Sequence, residues 1–245
     1  MRMERLRILI TNDDGIDAEG FRSLMRRLER DGHEILCVVP DRDCSAVSHG
    51  MTIGRPMPLA VRGARVYALA GKPADCVIAV VRGAFFRFMP DVVLSGINRG
   101  ANLGTDIVYS GTAAAARQAV LLGIPGIALS MESYDGSWRF DPLADFAARN
   151  LGRLMRLCAE DVFVSVNAAS RPFYNGAVMA SLCRRNYNDS AAFEDGAVTI
   201  SGGVLETDGA GDSDFLTTKN GRISVSCIHA GPILAETVEE TDFIL

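Results

Sequence analysis

The chain has little that would cross-link it or bind a soft metal. Its six cysteines (Cys37, Cys44, Cys76, Cys158, Cys183, Cys227) include no CxxC pair, and most lie in apolar runs. That spacing excludes a zinc ribbon and leaves buried thiols in a reducing compartment as the simplest account. The three histidines, His33, His49 and His229, are too scattered to form a paired imidazole site. No apolar run reaches the ~20 residues of a membrane helix, and the one near the N-terminus is too short for a signal peptide. A basic stripe is also missing: net charge is −5 and the pI is near 5.3. Stable nucleic-acid binding is therefore not expected. These absences together point to a cytoplasmic protein without a membrane or nucleic-acid partner. GxGxxG, the Walker lysine loop and GxSxG are absent too, which excludes a Rossmann dinucleotide fingerprint, a P-loop NTPase and an α/β-hydrolase esterase. No internal repeat or low-complexity linker interrupts the chain.

What is present is alternation. The 245 residues are 48% hydrophobic, enough for a core on both faces of a sheet. Apolar runs at Leu6–Ile10, Glu34–Val39, Val66–Leu69, Asp91–Leu94, Ile127–Ser130 and Val162–Val166 predict strands. Between them, helical spacing predicts helices at Glu19–Arg30, from Pro73 through Val81, and from about Thr112 to Leu122. A further long helix should open at Asp141-Pro142, with Asp141 as its cap, and run to about Cys158. Continuously apolar strands alternating with helices predict an α/β, three-layer α/β/α fold with a mostly parallel sheet. Residues 1–183 are expected to form the core. Residues 184–245 are expected to be a β-rich extension for oligomer contact or a lid, with hairpin-like runs at Ala197–Ile200 and Arg222–Ile228.

In such sheets ligands sit outside the C-terminal strand ends, so the loops there are the candidate site. After the first strand comes Asn12-Asp13-Asp14-Gly15. Adjacent carboxylates repel, and a hard divalent cation would compensate them. A plain turn with one acid capping the next helix is equally open at this point. The second loop is Pro40-Asp41-Arg42-Asp43-Cys44-Ser45. The third, Ser95 to Asp106, places Asn98 and Asn102 among glycines at 96, 100 and 104, where either asparagine could serve a metal, a phosphate or a turn. Ser110-Gly111-Thr112 then opens an alanine-rich helix and could be a cap or an anion site. An oxygen-lined cation site beside a helix N-terminus is what phosphoryl transfer to water requires.

Four segments carry a resemblance: ILITNDDGIDAEG, VVPDRDCSAVSHGMT, PADCV and PDVVLSGINRGANLGTDIVYSGTAAAA. In this order they resemble the SurE (survival protein E) family of metal-dependent 5′/3′-nucleotidases. The resemblance implies a Rossmann-like core and a C-terminal extension exchanged in a homodimer, sometimes paired into a homotetramer. It implies one divalent cation per subunit, magnesium or manganese, on Asp13, Asp14, Ser45 and Asn98. Phosphate-contacting positions fall on Asn102, Ser110, Gly111 and Thr112, with Asn12 and Asp106 close by. The implied reaction is hydrolysis of nucleoside 5′- and 3′-monophosphates by cation-activated water, with short polyphosphate a further substrate of some members. Asp106 is the candidate to orient or deprotonate that water. An aspartyl-phosphate route through Asp13 or Asp14, a non-catalytic nucleotide sensor and a nucleotide-dependent transferase are the rivals. Departures from the family pattern are Lys72 in GKPADCV, the missing proline after Asn167, Ala115 and Arg117-Gln118 in the alanine helix, and Arg222 and Cys227 near the end.

Overall fold

The computed structural model describes residues 5–233, so the end of the expected extension lies outside the described residues. The chain begins with β1 (Arg7–Thr11), α1 (Glu19–Arg30) and β2 (Glu34–Pro40). An exposed strand β3 (Leu59–Gly63), not expected from its sequence, pairs antiparallel with β4 (Val66–Leu69). Then follow α2 (Pro73–Val81), β5 (Val92–Arg99), a 3-10 turn (Gly104–Val108), α3 (Gly111–Leu121), β6 (Gly126–Glu132), α4 (Asp141–Leu157) and β7 (Val162–Ala169). The remainder is β8 (Ala177–Met179), β9 (Arg184–Asn186), the hairpin β10 (Ser190–Glu194) and β11 (Ala197–Ser201), β12 (Glu206–Asp208), α5 (Asp214–Lys219) and β13 (Ile223–His229).

The main sheet has the order β3-β4-β2-β1-β5-β6-β7-β13-β8. Strands β4, β2, β1, β5, β6 and β7 pair parallel. Helices α1 and α4 cover one face and α2 and α3 the other. Strand β1 shows why both faces need apolar side chains: Ile8 and Ile10 enter the α1/α4 cluster, while Leu9 enters the α2/α3 cluster. Burying each such side chain contributes ~1.5–3 kcal/mol. This confirms the α/β class expected from the alternation.

Local chemistry sets the helix ends. Gly32 and Gly123 take positive φ, 83° and 80°, just past α1 and α3. At α4 the cap differs from expectation. Phe140 takes the N-cap position, and Asp141, one residue inside, accepts a bond from the Ser23 hydroxyl at 2.5 Å. A tertiary partner on α1 has drawn the carboxylate away from capping.

The order reverses at β1. Strand β2 lies on one side of it and β5 on the other, which opens a crevice beyond their C-terminal ends. Two close approaches fix its walls. Helix α3 sits so near β6 that a Cβ on Gly126 would stand 2.0 Å from the Ala116 carbonyl oxygen. Its row of buried alanines permits this. Helix α1 in turn presses Gly20 on the end of β5, where a Cβ would meet the Ile97 carbonyl oxygen at 2.0 Å. The tail does not stand apart from the core: β13 inserts between β7, antiparallel, and β8, parallel.

Gly20→Ala should therefore lower stability by about 1–3 kcal/mol through overpacking, read as a reduced urea midpoint at unchanged m. An unaltered midpoint would contradict the close approach of α1 to the Ile97–Asn98 segment.

Candidate active site

The crevice holds a cavity of about 390 Å³ lined by Asp13, Ser45, Asn98, Asn102, Asp106 and Ser110, together with Arg99, Tyr109, Tyr187 and Asp189. Asp14 faces an adjoining groove with Asp43, Ser45 and Arg99. Ser45 and Arg99 line both, so the spaces faced by the two aspartates adjoin at these residues. A wider depression of about 590 Å³ lies elsewhere, against Arg30, Asp141, Phe146 and Tyr174, with none of these groups.

Asp13 is 4% exposed. Its Oδ2 accepts the Thr112 N–H at 3.0 Å and its Oδ1 accepts the Thr112 hydroxyl. Burial pushes its carboxyl up to about 6; the Thr112 hydroxyl opposes that rise and the Asp14 charge adds to it. Burial also raises Asp14, against the Arg99 N–H that donates to its Oδ2 at 2.9 Å, and Asp43 adds repulsion. Ser45 donates its hydroxyl to Asp43 Oδ1 at 2.6 Å. The Asn98 amide donates to the Gly100 carbonyl at 2.8 Å, which leaves its oxygen as an acceptor. The register of β5 on β6 shifts between Ser95 and Asn98, a bulge of the kind that re-aims a side chain at a site.

This donor set fits a hard divalent cation. Asp13, Asp14, Ser45 and Asn98 offer only oxygen, and among the described residues the two aspartates form no ion pair, whereas Asp106 does. Among the described residues no group of three or more His, Cys, Asp or Glu could hold a metal by itself. A cation here depends on the hydroxyl and amide oxygens of Ser45 and Asn98.

The other expected residues divide. Asn102 is positioned by Asn167, whose Oδ1 accepts the Asn102 N–H at 2.8 Å and whose amide donates to the Asn102 carbonyl at 3.1 Å. Its own amide donates to Ser130 Oγ at 2.7 Å. Ser110 caps α3, its Oγ accepting the Ala113 N–H at 3.0 Å. Gly111 packs against Asp13, where a Cβ would stand 2.9 Å from the Asp13 Cβ. Thr112 is buried and gives both its donors to Asp13. Asn12 is buried and closes its own turn, exchanging bonds of 2.8 and 3.2 Å with Gly15. Asp106 accepts from Arg185 Nη1 at 2.5 Å, from the Tyr187 hydroxyl at 2.8 Å and from the Leu103 N–H at 3.2 Å. Lys72 starts α2, and its ammonium donates to the Met51 carbonyl at 3.3 Å. Sequence reasoning missed Asn167, Arg185 and Tyr187; Arg185 and Tyr187 reach the site only through the tail's return.

The molecule is thus an α/β protein with an oxygen-lined crevice at the switch point of its sheet, beside a helix N-terminus. The family model described as Survival protein SurE matches residues 8–189, and the chain belongs to the SurE family. It is 47% identical over 180 residues to the 5′-nucleotidase SurE of Treponema pallidum, covering 71% of this chain and 96% of that protein. It is 38% identical over 246 residues to the 5′-nucleotidase SurE of Rubrobacter xylanophilus, covering 91% of each. The crystal structure of the SurE protein from Aquifex aeolicus superposes with a TM-score of 0.79 at 28% identity, covering 92% of this chain and 94% of that one.

The Asp13 carboxyl supplies a prediction. It holds its proton to about pH 6 in the fold but loses it near 3.8 in the unfolded chain. The native state binds more protons in that window, so its contribution to stability falls as pH rises from about 4 to 6 and stays unfavourable above, by about 3 kcal/mol. A cation would relieve this at neutral pH. Magnesium or manganese should raise the Tm at pH 7.5 by roughly 5–10 °C, less at pH 5, and not in Asp13→Asn. A Tm indifferent to both cations at every pH would exclude the cation site.

Proposed function

We propose that this protein is a divalent-cation-dependent phosphomonoesterase that hydrolyses nucleoside 5′- and 3′-monophosphates. The observation that carries this is the convergence of Asp13, Ser45, Asn98, Asn102 and Ser110 on one cavity at the sheet's switch point. The relatives named 5′-nucleotidase support the substrate class. A bound magnesium or manganese ion would acidify water and offset phosphoryl charge.

The chain's own residues supply the rest. Asp13 and Asp14, with Ser45 and Asn98, would hold the ion. Asn102, clamped by Asn167 and Ser130, keeps an amide at the cavity wall. The Thr112 and Ala113 N–H groups are already taken. A phosphate oxygen at this helix start would therefore meet Gly111, Ser110 and the positive end of α3. Asp106 has both oxygens occupied by donors, which favours a positioning role for it over that of a base.

Against an aspartyl-phosphate route stands the Thr112 grip on both Asp13 oxygens. Asp14, with one oxygen bonded to the Arg99 N–H, is the candidate nucleophile that remains for that route. For assembly, the β10–β11 hairpin exposes Phe193, Val198 and Ile200, which supports contact between copies as a homodimer or homotetramer. Among the described residues no helix is long and apolar enough to cross a membrane. A cytoplasmic location belongs to the same proposal, as does activity on short polyphosphate.

The test is phosphate release from a panel of 5′- and 3′-nucleotides with magnesium, manganese or EDTA. Release is expected with either cation and not with EDTA, and Asp14→Asn should lower kcat/KM by roughly a hundredfold, the scale of losing one charge-stabilising group. Binding without turnover would favour the sensor, and a trapped phosphoenzyme would favour the covalent route.

A further inference from the structure

The cavity has a second lining that phosphate chemistry leaves unused. Tyr109 and Tyr187 both face it, with Asp189. Tyr109 caps the 3-10 turn directly before Ser110, and it is 57% exposed. Core packing does not account for a ring held there. Tyr187 arrives from beyond β9 and is held in place. Its hydroxyl donates to Asp106 at 2.8 Å, and the Arg185 guanidinium lies over its ring, 5.8 Å from the centroid. Burial, reinforced by the bond to Asp106, pushes the hydroxyl up to about 12, so it stays a donor at neutral pH. Fixing a ring before a ligand arrives reduces the ordering cost of binding.

The adjoining groove is a poorer place for a base. There Trp138 already stacks on Phe140, at 5.9 Å and 14°, and carries the Arg99 guanidinium 5.0 Å from its ring. Asp14, Asp17, Glu19 and Asp43 make that groove acidic.

We propose that Tyr109 and Tyr187 hold the nucleoside end of the substrate, with the base against their rings and the phosphate toward Ser110 and Asn102. The inference rests on the nucleotidase reading and assigns its specificity. Aromatic faces bind any base by stacking, and they offer nothing comparable to a sugar phosphate alone. Asp189, an acceptor, faces the same space for a ribose hydroxyl or an N–H group. A cavity of about 390 Å³ is in the usual range for a small molecule and leaves room beyond a phosphate.

The experiment compares adenosine 5′-monophosphate with ribose 5-phosphate, which keeps the phosphoester and lacks the base. The readout is the ratio of their kcat/KM values, in wild type and in Tyr109→Ala, Tyr187→Ala and Tyr187→Phe. Each alanine variant should lower the ratio about tenfold, while Tyr187→Phe, which keeps the ring and loses the bond to Asp106, should preserve it. Should Tyr187→Ala fail to fold, Tyr109→Ala at its exposed position carries the test. Ratios unchanged in the alanine variants overturn the clamp and leave the nucleotidase standing. If wild type turns over neither compound with any divalent cation, the reading beneath the clamp fails and the clamp falls with it.

Discussion

The crevice depends on one tie, the double hydrogen bond from Thr112 to the Asp13 carboxylate. It joins the end of β1 to the start of α3, two segments 99 residues apart. Their spacing in the fold sets the width of the space between the proposed cation donors and the helix N-terminus. Gly111 makes the tie possible, since a side chain there would collide with Asp13 and with Pro73 at the start of α2. A bond from N–H and hydroxyl to a buried carboxylate is charge-assisted and short of competing water, so it is stronger than an ordinary surface contact.

That tie leaves a charge problem. Thr112 supplies dipoles to Asp13 but no positive charge, and the Asp14 and Asp43 carboxylates are close enough to matter. Arg99 lines both cavities and bonds Asp14 through its backbone N–H, and its charge eases Asp14 by less than Asp43 burdens it. The guanidinium lies on Trp138. Asp106, a short distance along the cavity wall, shows the alternative solution, a buried ion pair with Arg185. Two acids in one cavity thus have opposite circumstances: one is satisfied within the protein, the other is not. To act on the proposed phosphate substrates, a chain of net charge −5 would have to bring positive charge to them locally, and the unsatisfied acids are where it could.

Much of this was legible in the sequence because it is local. Strand and helix periodicity located the core elements to within a few residues, and the glycines at 32 and 123 ended their helices as expected. Strand β5 runs on to Arg99, beyond the apolar stretch ending at Leu94, because pairing with β6 resumes past a bulge. The oxygen-bearing loops were legible as a set, since strand ends share one edge. Individual roles were not. Thr112 stands at a helix start, where propensity suggests capping or anion binding, and a carboxylate from the loop after β1 takes both its donors. Asp106 reads as a residue to orient or deprotonate water because its partners Arg185 and Tyr187 lie 79 and 81 residues away and have no sequence pattern linking them to it. Asn167 likewise lies 65 residues from the backbone it fixes.

Those distant partners follow from how the tail is attached. Thr105 Oγ1 donates to the Arg185 carbonyl at 2.7 Å and accepts the Arg185 N–H at 3.0 Å. Asp214, at the start of α5, receives the Gly104 N–H at 2.7 Å and the Cys183 N–H at 2.9 Å. Gly104 has no room for a side chain, since a Cβ would stand 2.0 Å from the Cys183 carbonyl oxygen. Helix α5 is in turn continuous with β13, which is a strand of the main sheet. The 3-10 turn before α3 is therefore held from both directions, by β5 before it and by the tail across it. Insertion of β13 into the sheet and the shape of the cavity wall are one constraint, which is why residues late in the chain stand at a site whose proposed cation donors all lie in its first hundred residues.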